Sequence, residues 1–561
     1  MGEIFPNQKK EGETHMRKLL AALLAVIMLF SMVSIAVAED PITVTVFRGD
    51  PGDQPTEDNR IYKKIEEEFG IKFEIEFLAG DLDETLGTKI AGEDYPDLFD
   101  GGNSAEKLIN AGALINLLDY ISEEKTPNLY NHIKDLLPQL VNEDGELFII
   151  PNYGINYHEQ IVNACNGPAF FIQKQVLAWD NYPQIKTLDQ YFDLIERFIT
   201  ANPTNENGAK YEGFAILCED WRHFCLINPV QHLMGQPNEG EVYINRTADE
   251  NGIYAVETFI DKDYSKAYYK KLNEFYKKGL INPDTFTMTY DQYIAKLSAG
   301  TILGMFDQTW DFGTATAALE TAKMYENTYV ALPLVYDESY GFGAISEQYL
   351  NGGVPNKDRG FGISVNCEYP ERMVALFEAL LSDEWQKILQ WGEEGIDYTV
   401  ENGRMLMSAE QYAQRSDATW KMANQALTIW ESAPKKQGLQ DDGNTWAPAD
   451  QPEILQLNMS DYDKAFLAAY GYGKWADFFN APCELAPWGE AWQIDKTPIQ
   501  DDYDKFNLIQ DQQLPKIIMS ADDAEFDANW AAFVAEITPY CDIYAEYMQN
   551  EVTKLVELAT K

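Results

Sequence analysis

Two adjacent carboxylates, Glu393 and Glu394, lie between two aromatic residues, Trp391 and Tyr398, in the stretch QWGEEGIDYT. Paired carboxylates act as acid and base in glycoside hydrolysis, and aromatic rings bind the apolar faces of sugars. A hydrolase holds its two carboxyl groups about 5–9 Å apart across the reacting bond, whereas neighbouring side chains usually point apart. The stretch also follows a predicted helix, and Gly392 suits a helix cap, so we predict a turn and not a catalytic pair.

Other catalytic motifs are incomplete or absent from the sequence. His158 and Glu159 begin an H-E-x-x-H zinc motif, but Val162 stands at the position of the second histidine, so zinc would lack a ligand. The sequence has no G-x-S-x-G turn and no Walker A glycine loop. The six cysteines form no C-x-x-C pair, and Cys218 and Cys225 suit either a short disulfide or two buried thiols.

Aromatic residues are abundant in this chain, which contains 12 Trp, 32 Tyr and 28 Phe. Sugar rings stack on aromatic rings, and their hydroxyl groups bond to Asp, Glu, Asn, Gln and Arg side chains. Aromatic residues beside such polar residues in loops are therefore candidates for sugar binding, although each of them also suits core packing. Three pairs of this kind are Trp310-Asp311, Trp221-Arg222 and Asn152-Tyr153.

The elements that must position these residues alternate in type from residue 41 onward. Residues 42–47 and 71–78 have the pattern of strands, residues 59–70 that of an amphipathic helix, and residues 96–102 that of a short buried strand. This order predicts an α/β lobe with a parallel sheet. Ligands bind beyond the carboxyl ends of such strands, unless the loops there are only polar turns. The residues at those ends are Phe47, Arg48, Asp100 and Asn103.

The middle of the chain is richer in predicted helices, at residues 187–200 and 264–280. Apolar runs after it, at residues 301–306, 330–335 and 360–366, predict three more strands. We expect these strands to return to the first sheet, so that the chain crosses between two lobes more than once.

The start of the chain has the pattern of an export signal. Residues 16–38 combine a basic start, an apolar middle and an A-x-A end, which predicts cleavage before Glu39, with residues 1–15 as an upstream extension. A lipid anchor would require cysteine where Glu39 stands. The formal net charge of −48 would repel phosphate backbones and anionic lipids, which argues against a nucleic-acid or membrane-surface role. We expect an exported, soluble protein that is extracellular, associated with the cell surface or periplasmic.

The order of motifs along the mature chain resembles the extracellular solute-binding protein family 1, the ligand-capturing components of bacterial ABC importers. Within that family it is similar to the large lipoprotein-like members associated with oligosaccharide uptake. The resemblance rests on ITVTVF (42–47), GTKIAGEDYPDLFDGG (87–102), DGELFIIPNY (144–153), YPQIKTLDQYFDLIERF (182–198), KKGLINPDTF (277–286), SAGTILGMF (298–306) and RGFGISVNCEYPERMVALFEALLSDEWQKILQWGEEGIDYTV (359–400).

The resemblance implies a two-lobed α/β fold of the periplasmic-binding-protein type (type II), in which hinge strands connect the lobes around a ligand cleft. It implies an oligosaccharide ligand, ABC permease subunits as partners and no catalytic residue, and we expect a monomer. The alternatives are a binding protein of the same fold for peptides or another small solute, and a secreted carbohydrate-active enzyme. The expected boundaries are 39–155 for the first part of lobe 1, 156–290 for the first part of lobe 2, 291–365 for the return to lobe 1, and 366–561 for the rest of lobe 2 with a C-terminal helical extension.

The resemblance also places residues at the cleft. DGELFIIPNY corresponds to the first hinge crossing of the family, and QWGEEGIDYT to a turn whose Trp391 and Glu394 reach the ligand. The expected ligand contacts are Phe47, Arg48, Asp100, Asn103, Asn152, Tyr153, Trp221, Arg222, Trp310, Asp311, Trp391 and Glu394.

Some relatives hold calcium in an Asp- and Asn-rich loop, which corresponds here to NPTNENGAKYEG (202–213). Asn205, Asn207 and Glu212 are the candidate ligands, but Pro203 and Tyr211 stand where the pattern has carboxylates. Because calcium favours several charged oxygen ligands, we expect no cofactor, with calcium at this loop as the alternative.

Overall fold

A computed structural model describes residues 41–142, 144–165, 167–340, 348, 350, 354–482 and 485–560. The predicted extension at residues 1–15 and the predicted signal peptide at residues 16–38 lie outside the described residues. The strands are β1 (Ile42–Arg48), β2 (Ile71–Phe77), β3 (Leu98–Asp100), β4 (Asn156–Tyr157), β5 (Ala169–Gln173), β6 (Val242–Ile244), β7 (Val256–Thr258), β8 (Gly304–Asp307), β9 (Tyr329–Leu332), β10 (Gly362–Ile363), β11 (Thr399–Glu401), β12 (Arg404–Leu406) and β13 (Gln437–Gly438).

The α-helices range from single turns to one of 37 residues at the C-terminus. They are α1 (Arg60–Phe69), α2 (Leu82–Gly92), α3 (Ala105–Asn110), α4 (Pro127–Ile133), α5 (Leu137–Leu140), α6 (Lys174–Trp179), α7 (Leu188–Ala201), α8 (Phe224–Ile227), α9 (Pro229–Leu233), α10 (Asp263–Lys277), α11 (Tyr290–Ser298), α12 (Gly313–Thr321), α13 (Pro370–Leu380), α14 (Asp383–Gln390), α15 (Ala409–Gln414), α16 (Ala418–Asn424), α17 (Leu427–Ser432), α18 (Pro452–Asn458), α19 (Asp461–Tyr470), α20 (Gln500–Ile518) and α21 (Asp523–Ala559).

The first sheet has the strand order β10-β3-β1-β2, and β1 runs parallel to both β2 and β3. In β1, Val44 and Val46 are buried while Thr43 and Thr45 are exposed, which is the alternation of a strand with one covered face. The prediction of a parallel α/β lobe at the start of the described chain is confirmed. The carboxyl ends of β1 and β3 lie side by side, with Arg48 paired to Asp100 in the register.

Local sequence fixes the helix between β1 and β2. The Asn59 side-chain oxygen accepts hydrogen bonds from the backbone N–H groups of Ile61 and Tyr62, both at 3.0 Å, so α1 begins there. Gly70 ends the helix in the left-handed conformation, at φ 63°. The buried Ile61 and Ile65 then cover the first sheet.

Helices α13 and α14 pack in the first lobe. Met373, Phe377 and Trp385 belong to the same hydrophobic core as Val44 and Val46 of β1. The expectation that the chain after residue 366 belongs to lobe 2 is therefore wrong for these helices. The apolar face of a helix predicts that the helix is covered but does not specify which sheet covers it.

The second lobe is built on an antiparallel sheet with the order β8-β5-β9. Phe170 of β5 pairs with Phe306 on one side and with Leu332 on the other. The prediction that the strands at 301–306 and 330–335 return to the first sheet is therefore wrong, and the expected lobe 1 return over 291–365 is wrong for these strands. The strand at 360–366 does join the first sheet, through the pairing of β10 with β3.

Three segments of the described chain connect the two hydrophobic cores. Each begins at a residue of one core and ends at a residue of the other, so the chain crosses between the lobes three times. The crossings run from Ile150 to Val162, from Leu350 to Phe361, where residues 351–353 are outside the described ones, and from Ala433 to Met459.

The crossing segments meet at Gly154. Its φ is +90°, and a Cβ there would lie 2.4 Å from the carbonyl carbon of Val354 and from the nitrogen of Pro355. The Gly154 N–H donates to the side-chain oxygen of Gln437 in the third segment. Only glycine combines this conformation with such a close approach of backbones.

The C-terminal helices pack on the second lobe. Phe506 of α20 and Trp530, Phe533 and Tyr544 of α21 belong to the core that contains β5. Helix α21 also contacts α5 of the first lobe, and Leu555 and Leu140 line the same small cavity. Among the described helices, none has the length and apolar character needed to cross a membrane.

The described cysteines are unpaired. Cys218 and Cys225 are free thiols, as are Cys165, Cys367 and Cys541, so of the two alternatives for the first pair the structure has free thiols, with Cys225 buried and Cys218 half-buried. Burial raises the pKa of Cys218 to about 12 and that of Cys225 well above its usual value, which leaves both thiols protonated and unreactive at neutral pH.

Candidate ligand-binding cleft

A cleft of about 1300 Å³ lies between the two lobes. Pockets for drug-sized molecules measure about 300–1,000 Å³, so this cleft has room for a larger ligand. The ends of β1 and β3, the crossing segments, loops of the second lobe and the C-terminal helices contribute its walls. Seven of the twelve predicted contacts line it, namely Arg48, Asp100, Asn103, Asn152, Tyr153, Trp221 and Trp310.

An aromatic wall, formed by Phe224, Trp221 and Trp310, borders the cleft on the second lobe. The Trp221 ring stacks on Phe224 at 6.0 Å and on Trp310 at 5.7 Å, with interplanar angles of 8° and 21°. Trp221 and Trp310 are 52% and 57% exposed, which is high for side chains of this size. The wall therefore offers indole surface to a ligand.

Arg222 and Asp311, two of the predicted contacts, do not line the cleft and instead hold the aromatic wall in place. The Arg222 guanidinium lies 4.4 Å from the centre of the Trp221 ring and 4.0 Å from that of Tyr290. Its Nε is 3.0 Å from Asp311 Oδ1, and Asp311 is buried. Such a cation between two rings and a carboxylate fixes the orientation of the indole beside it.

The first lobe contributes a network of paired charges at the end of β1. Arg48 forms ion pairs with Asp50, at 3.3 Å, and with Glu431. Arg359 of the second crossing bonds to the same Asp50 at 2.6 Å and to the Asn103 side-chain oxygen at 3.0 Å. Burial raises the pKa of Asp50, but the two guanidinium groups outweigh it and lower that pKa overall. The carboxylate therefore stays charged and rigidly held.

Asp100, at the end of β3, ties the first sheet to helix α17. Its carboxylate accepts hydrogen bonds from the Ser432 hydroxyl at 2.6 Å and from the Gly102 N–H at 2.9 Å. Burial raises the pKa of Asp100 although these bonds act in the opposite direction. Asp100 thus borders the cleft mainly as an anchor of the loops around it.

Asn152 and Tyr153 lie on the first crossing, as predicted. The Asn152 N–H donates to the Arg359 carbonyl at 3.0 Å, and its side-chain amide donates to the Glu431 carbonyl. Burial raises the pKa of Tyr153, and its hydroxyl bonds to Asn356 on the second crossing. Ligand contacts at these residues would therefore act directly on the segments that join the lobes.

A third wall comes from the C-terminal part, where sequence reasoning named no contact. Trp492 and Lys496 line the cleft from a loop, Tyr503 and Asn507 from α20, and Tyr544 from α21. The Trp- and Pro-rich stretch APWGEAWQ (486–493) was the available signal, since Trp492 is 38% exposed and its indole N–H donates to Glu490. Helical tyrosines gave no signal, because core tyrosines show the same spacing.

Phe47 is a core residue, so its prediction as a ligand contact is wrong. Its side chain is fully buried and packs edge-to-face on Phe99 at 5.3 Å. Successive strand residues point to opposite faces, and Arg48, the next residue, is the one that reaches the cleft.

The turn at residues 391–398 is structural, as its pattern predicted, and its two predicted ligand contacts are wrong. Trp391 is fully buried and donates its indole N–H to the Thr445 carbonyl at 3.0 Å. Glu394 is exposed and does not line the cleft. Arg60 of α1 binds Glu393 at 2.6 Å and Asp397 at 2.8 Å, which fastens the turn to the first lobe.

The loop at residues 202–213 does not fit a calcium ion. The Asn205 side-chain oxygen accepts N–H groups of Asn207 and Ala209, at 3.1 and 2.9 Å, and closes the loop by itself. The Glu212 carboxylate pairs at 3.0 Å with the ammonium group of Lys296, which also binds Asp284 at 2.8 Å. A lysine thus stands beside the one candidate carboxylate, whereas calcium takes six to eight oxygens, several of them charged.

Solved structures with similar folds are proteins of transport systems. The chain aligns with the "HMO binding ABC-transporter associated Solute Binding Protein" of Bifidobacterium longum infantis at 15% identity and a TM-score of 0.61, covering 93% of this chain and 98% of that one. It aligns with FusA of Streptococcus pneumoniae, solved with kestose, at 17% identity and a TM-score of 0.56, covering 91% of this chain and 99% of that one. It aligns with NgtS of the same organism, an N-glycan transport solute-binding protein, at 14% identity and a TM-score of 0.55, covering 92% of this chain and 99% of that one.

These alignments show the same two-lobed fold over nearly the full length of each protein. A search of curated protein sequences gave no significant match. The family model described as bacterial extracellular solute-binding protein matches residues 60–392, more than half of the chain. The chain therefore belongs to the family of bacterial extracellular solute-binding proteins.

Proposed function

We propose that this protein captures an oligosaccharide in the cleft between its lobes and delivers it intact to the permease subunits of an ABC importer, outside the cytoplasmic membrane. The aromatic wall carries the proposal, because exposed and firmly held indole rings bind the apolar faces of sugars. The paired charges of the first lobe border the same cleft and supply groups that bond to hydroxyls. The names of the similar structures mention HMO binding, a complex with kestose and N-glycan transport. These names support the same ligand class.

A peptide is a poorer fit to these charges. A peptide terminus requires an unpaired charge of opposite sign, and both arginines among the predicted contacts are already paired. Arg48 binds Asp50 and Glu431, and Arg222 binds Asp311. A ligand carboxylate would have to displace a carboxylate of the protein from either of them.

The three crossings connect two lobes that can close over a ligand, so capture takes place by closure of the lobes. Ligand shifts the equilibrium between open and closed forms only through contacts that are stronger in the closed form. Contacts to both the aromatic wall and the Arg48 network meet that condition, since the two belong to different lobes.

The melting temperature of the mature protein with panels of oligosaccharides and peptides tests the proposal. A ligand at about 100 times its dissociation constant adds about 2.7 kcal/mol to the unfolding free energy, which is a readily measured shift. We expect a shift with oligosaccharides, which are then recovered intact. A shift with peptides alone would overturn the ligand class, and cleaved sugar would make the protein an enzyme.

A further inference from the structure

One carboxylate in the cleft has an oxygen without a partner. Glu241 follows the loop before β6 and lines the cleft, and its side chain is 12% exposed. Its Oε1 lies 3.3 Å from His223 Nε2, whereas Oε2 is buried and has no hydrogen-bond partner among the described residues. Buried polar atoms are nearly always bonded, so an exception at a binding site points to a bond that the ligand completes.

Two polar side chains of the cleft lie beside Glu241, His223 of the second lobe and Tyr503 of the third wall. Burial lowers the pKa of His223, but the hydrogen bond and charge of Glu241 outweigh it and raise that pKa above its usual value. Burial, the nearby charge of Glu241 and a side-chain hydrogen bond to Glu241 raise the pKa of Tyr503. On the other side the chain packs closely, since a Cβ on Gly240 would lie 3.1 Å from that of Trp492. Glu241 therefore lies where the second lobe meets the third wall.

The cations that line the cleft are engaged within the protein. Arg48 and Arg359 share Asp50, and Arg48 also binds Glu431. The Lys435 ammonium donates to the Trp430 carbonyl at 2.9 Å, and burial lowers its pKa to about 7.

Lys496, on the third wall, is bonded in the same way as Lys435. It donates to the Trp492 carbonyl at 2.6 Å, and burial lowers its pKa to about 8. A ligand anion would thus have to displace a carboxylate from Arg48 or Arg359, and burial disfavours the charged forms of Lys435 and Lys496, while a ligand donor meets a carboxylate oxygen to which no described residue is bonded.

We infer that Glu241 selects neutral sugars: its carboxylate accepts a hydrogen bond from a hydroxyl or N–H group of the ligand and disfavours oligosaccharides that carry carboxylates. This inference rests on the proposed function, because it assigns a class of sugar to the same cleft. Neutral sugars bring hydroxyl donors to an acceptor, whereas uronates bring further acceptors and negative charge to a carboxylate.

Matched sugars that differ only at C6 test the selection. The protein is incubated with an equimolar pool of β-1,4-manno-oligosaccharides, α-1,4-galacto-oligosaccharides and the mannuronate and galacturonate oligomers with the same linkages and lengths. Bound sugar is separated with the protein, released and identified by mass. We expect the neutral members to be retained at least tenfold over their uronates. Retention of the uronates would overturn the inference and uphold oligosaccharide capture, whereas retention of neither class, together with no melting shift for any oligosaccharide of the panel, would overturn the proposed function itself.

The variant Glu241→Gln then tests the residue. It keeps the side-chain shape and removes the charge, so we expect the preference for neutral sugars to fall by about tenfold or more, which is the usual effect of a lost hydrogen bond to a charged group. Glu57→Gln removes one charge from an exposed position outside the cleft and should leave the preference unchanged. Glu241→Asp retains the charge and should retain the preference. An unchanged preference in Glu241→Gln would overturn the inference.

Discussion

Trp221 and Trp310 each leave more than half of a large apolar side chain in contact with water. The cation–π contact of Arg222 fixes Trp221, and Trp310 donates its indole N–H to Gln308 at 2.9 Å. Little conformational entropy remains for a ligand to remove, which favours tight binding on these rings.

We predict that Trp221→Ala and Trp310→Ala each weaken oligosaccharide binding by about tenfold or more, equivalent to about 1.4 kcal/mol, because stacking area is lost. Isothermal titration calorimetry with an oligosaccharide identified in the melting experiment measures the change. Trp179→Ala is the matched control, since Trp179 is 41% exposed on the same lobe but lies outside the cleft. Equal affinities for all three variants and the wild type would refute the role of the aromatic wall.

His132 provides a prediction on pH. It is buried in α4, with Nδ1 2.9 Å from the Tyr157 hydroxyl, and burial lowers its pKa from 6.5 to about 3. Between these values the unfolded chain binds more protons than the folded one, so the unfolding free energy falls as pH falls, by up to about 1.4 kcal/mol per pH unit.

We predict that His132→Asn removes this contribution. The variant should be less stable than the wild type at pH 7, because the smaller side chain leaves a void. That deficit should shrink as pH is lowered from about 6.5 toward 4, as measured by urea denaturation. A deficit that stays constant with pH would show that His132 is not the group that titrates.

Single residues of the cleft were predictable where a polar or aromatic residue follows a strand or lies on a crossing. Arg48, Asp100 and Asn152 were found in this way. The predictions for Phe47 and Trp391 failed because an aromatic residue at a strand end or in a turn has the same sequence pattern whether it is buried or exposed. Glu241 was missed because its pairing with His223 depends on tertiary contacts that sequence spacing does not encode.

At the scale of elements, the strands were easier to predict than their partners. Continuous apolar runs identified β8 and β9 as buried strands, whereas β5 was not predicted, and buried strands carry no face that specifies one sheet over another. Pairing among them spans more than 100 residues of sequence, from Phe170 to Phe306 and Leu332. For the same reason the covered face of α13 did not reveal which lobe contains it.

The first crossing gives a prediction of its own. In Gly154→Ala the new methyl group would lie 2.4 Å from the backbone of Val354 and Pro355, so the two crossing segments must move apart. We expect a loss of more than about 2 kcal/mol in the unfolding free energy, together with weaker ligand binding, because the lobes no longer meet in the same geometry.

Gly252→Ala separates the two causes of that loss. Gly252 also has a positive φ, +82°, but a Cβ there would have no atom within 4 Å. This control should therefore show only the conformational cost, about 1 kcal/mol, and normal binding. Equal losses in both variants would refute a specific role of the crossing.

The loop at residues 202–213 yields a prediction on metal. We propose that Lys296 takes the place of a cation between Glu212 and Asp284. Calcium and a chelator should then give the same melting temperature for the wild type. Lys296→Met should cost about 1 kcal/mol, since it leaves two carboxylates without their shared partner. A melting temperature of the wild type that rises with calcium would contradict the proposal.

At the scale of the whole molecule, the two cores are connected so that the cleft depends on both. Three crossings join them, and α21 of the second lobe reaches α5 of the first, beside the crossing residue Val354. Movement of the lobes therefore has to preserve or exchange the contact between these two helices. The C-terminal helices supply the third wall of the cleft, so ligand bound there contacts the same elements that connect the lobes.

The charge of the molecule gives the last prediction. A formal net charge of −48 on 561 residues means that acidic side chains repel one another more strongly in the compact folded state than in the extended unfolded chain. Salt screens this repulsion, with a Debye length of about 30 Å at 0.01 M and about 3 Å at 1 M. We therefore expect the melting temperature to rise as sodium chloride is increased over this range, and to rise equally in potassium chloride if screening is the cause. A fall would mean that the ion pairs, such as those of Arg48 and Arg60, contribute more to stability than the net repulsion removes.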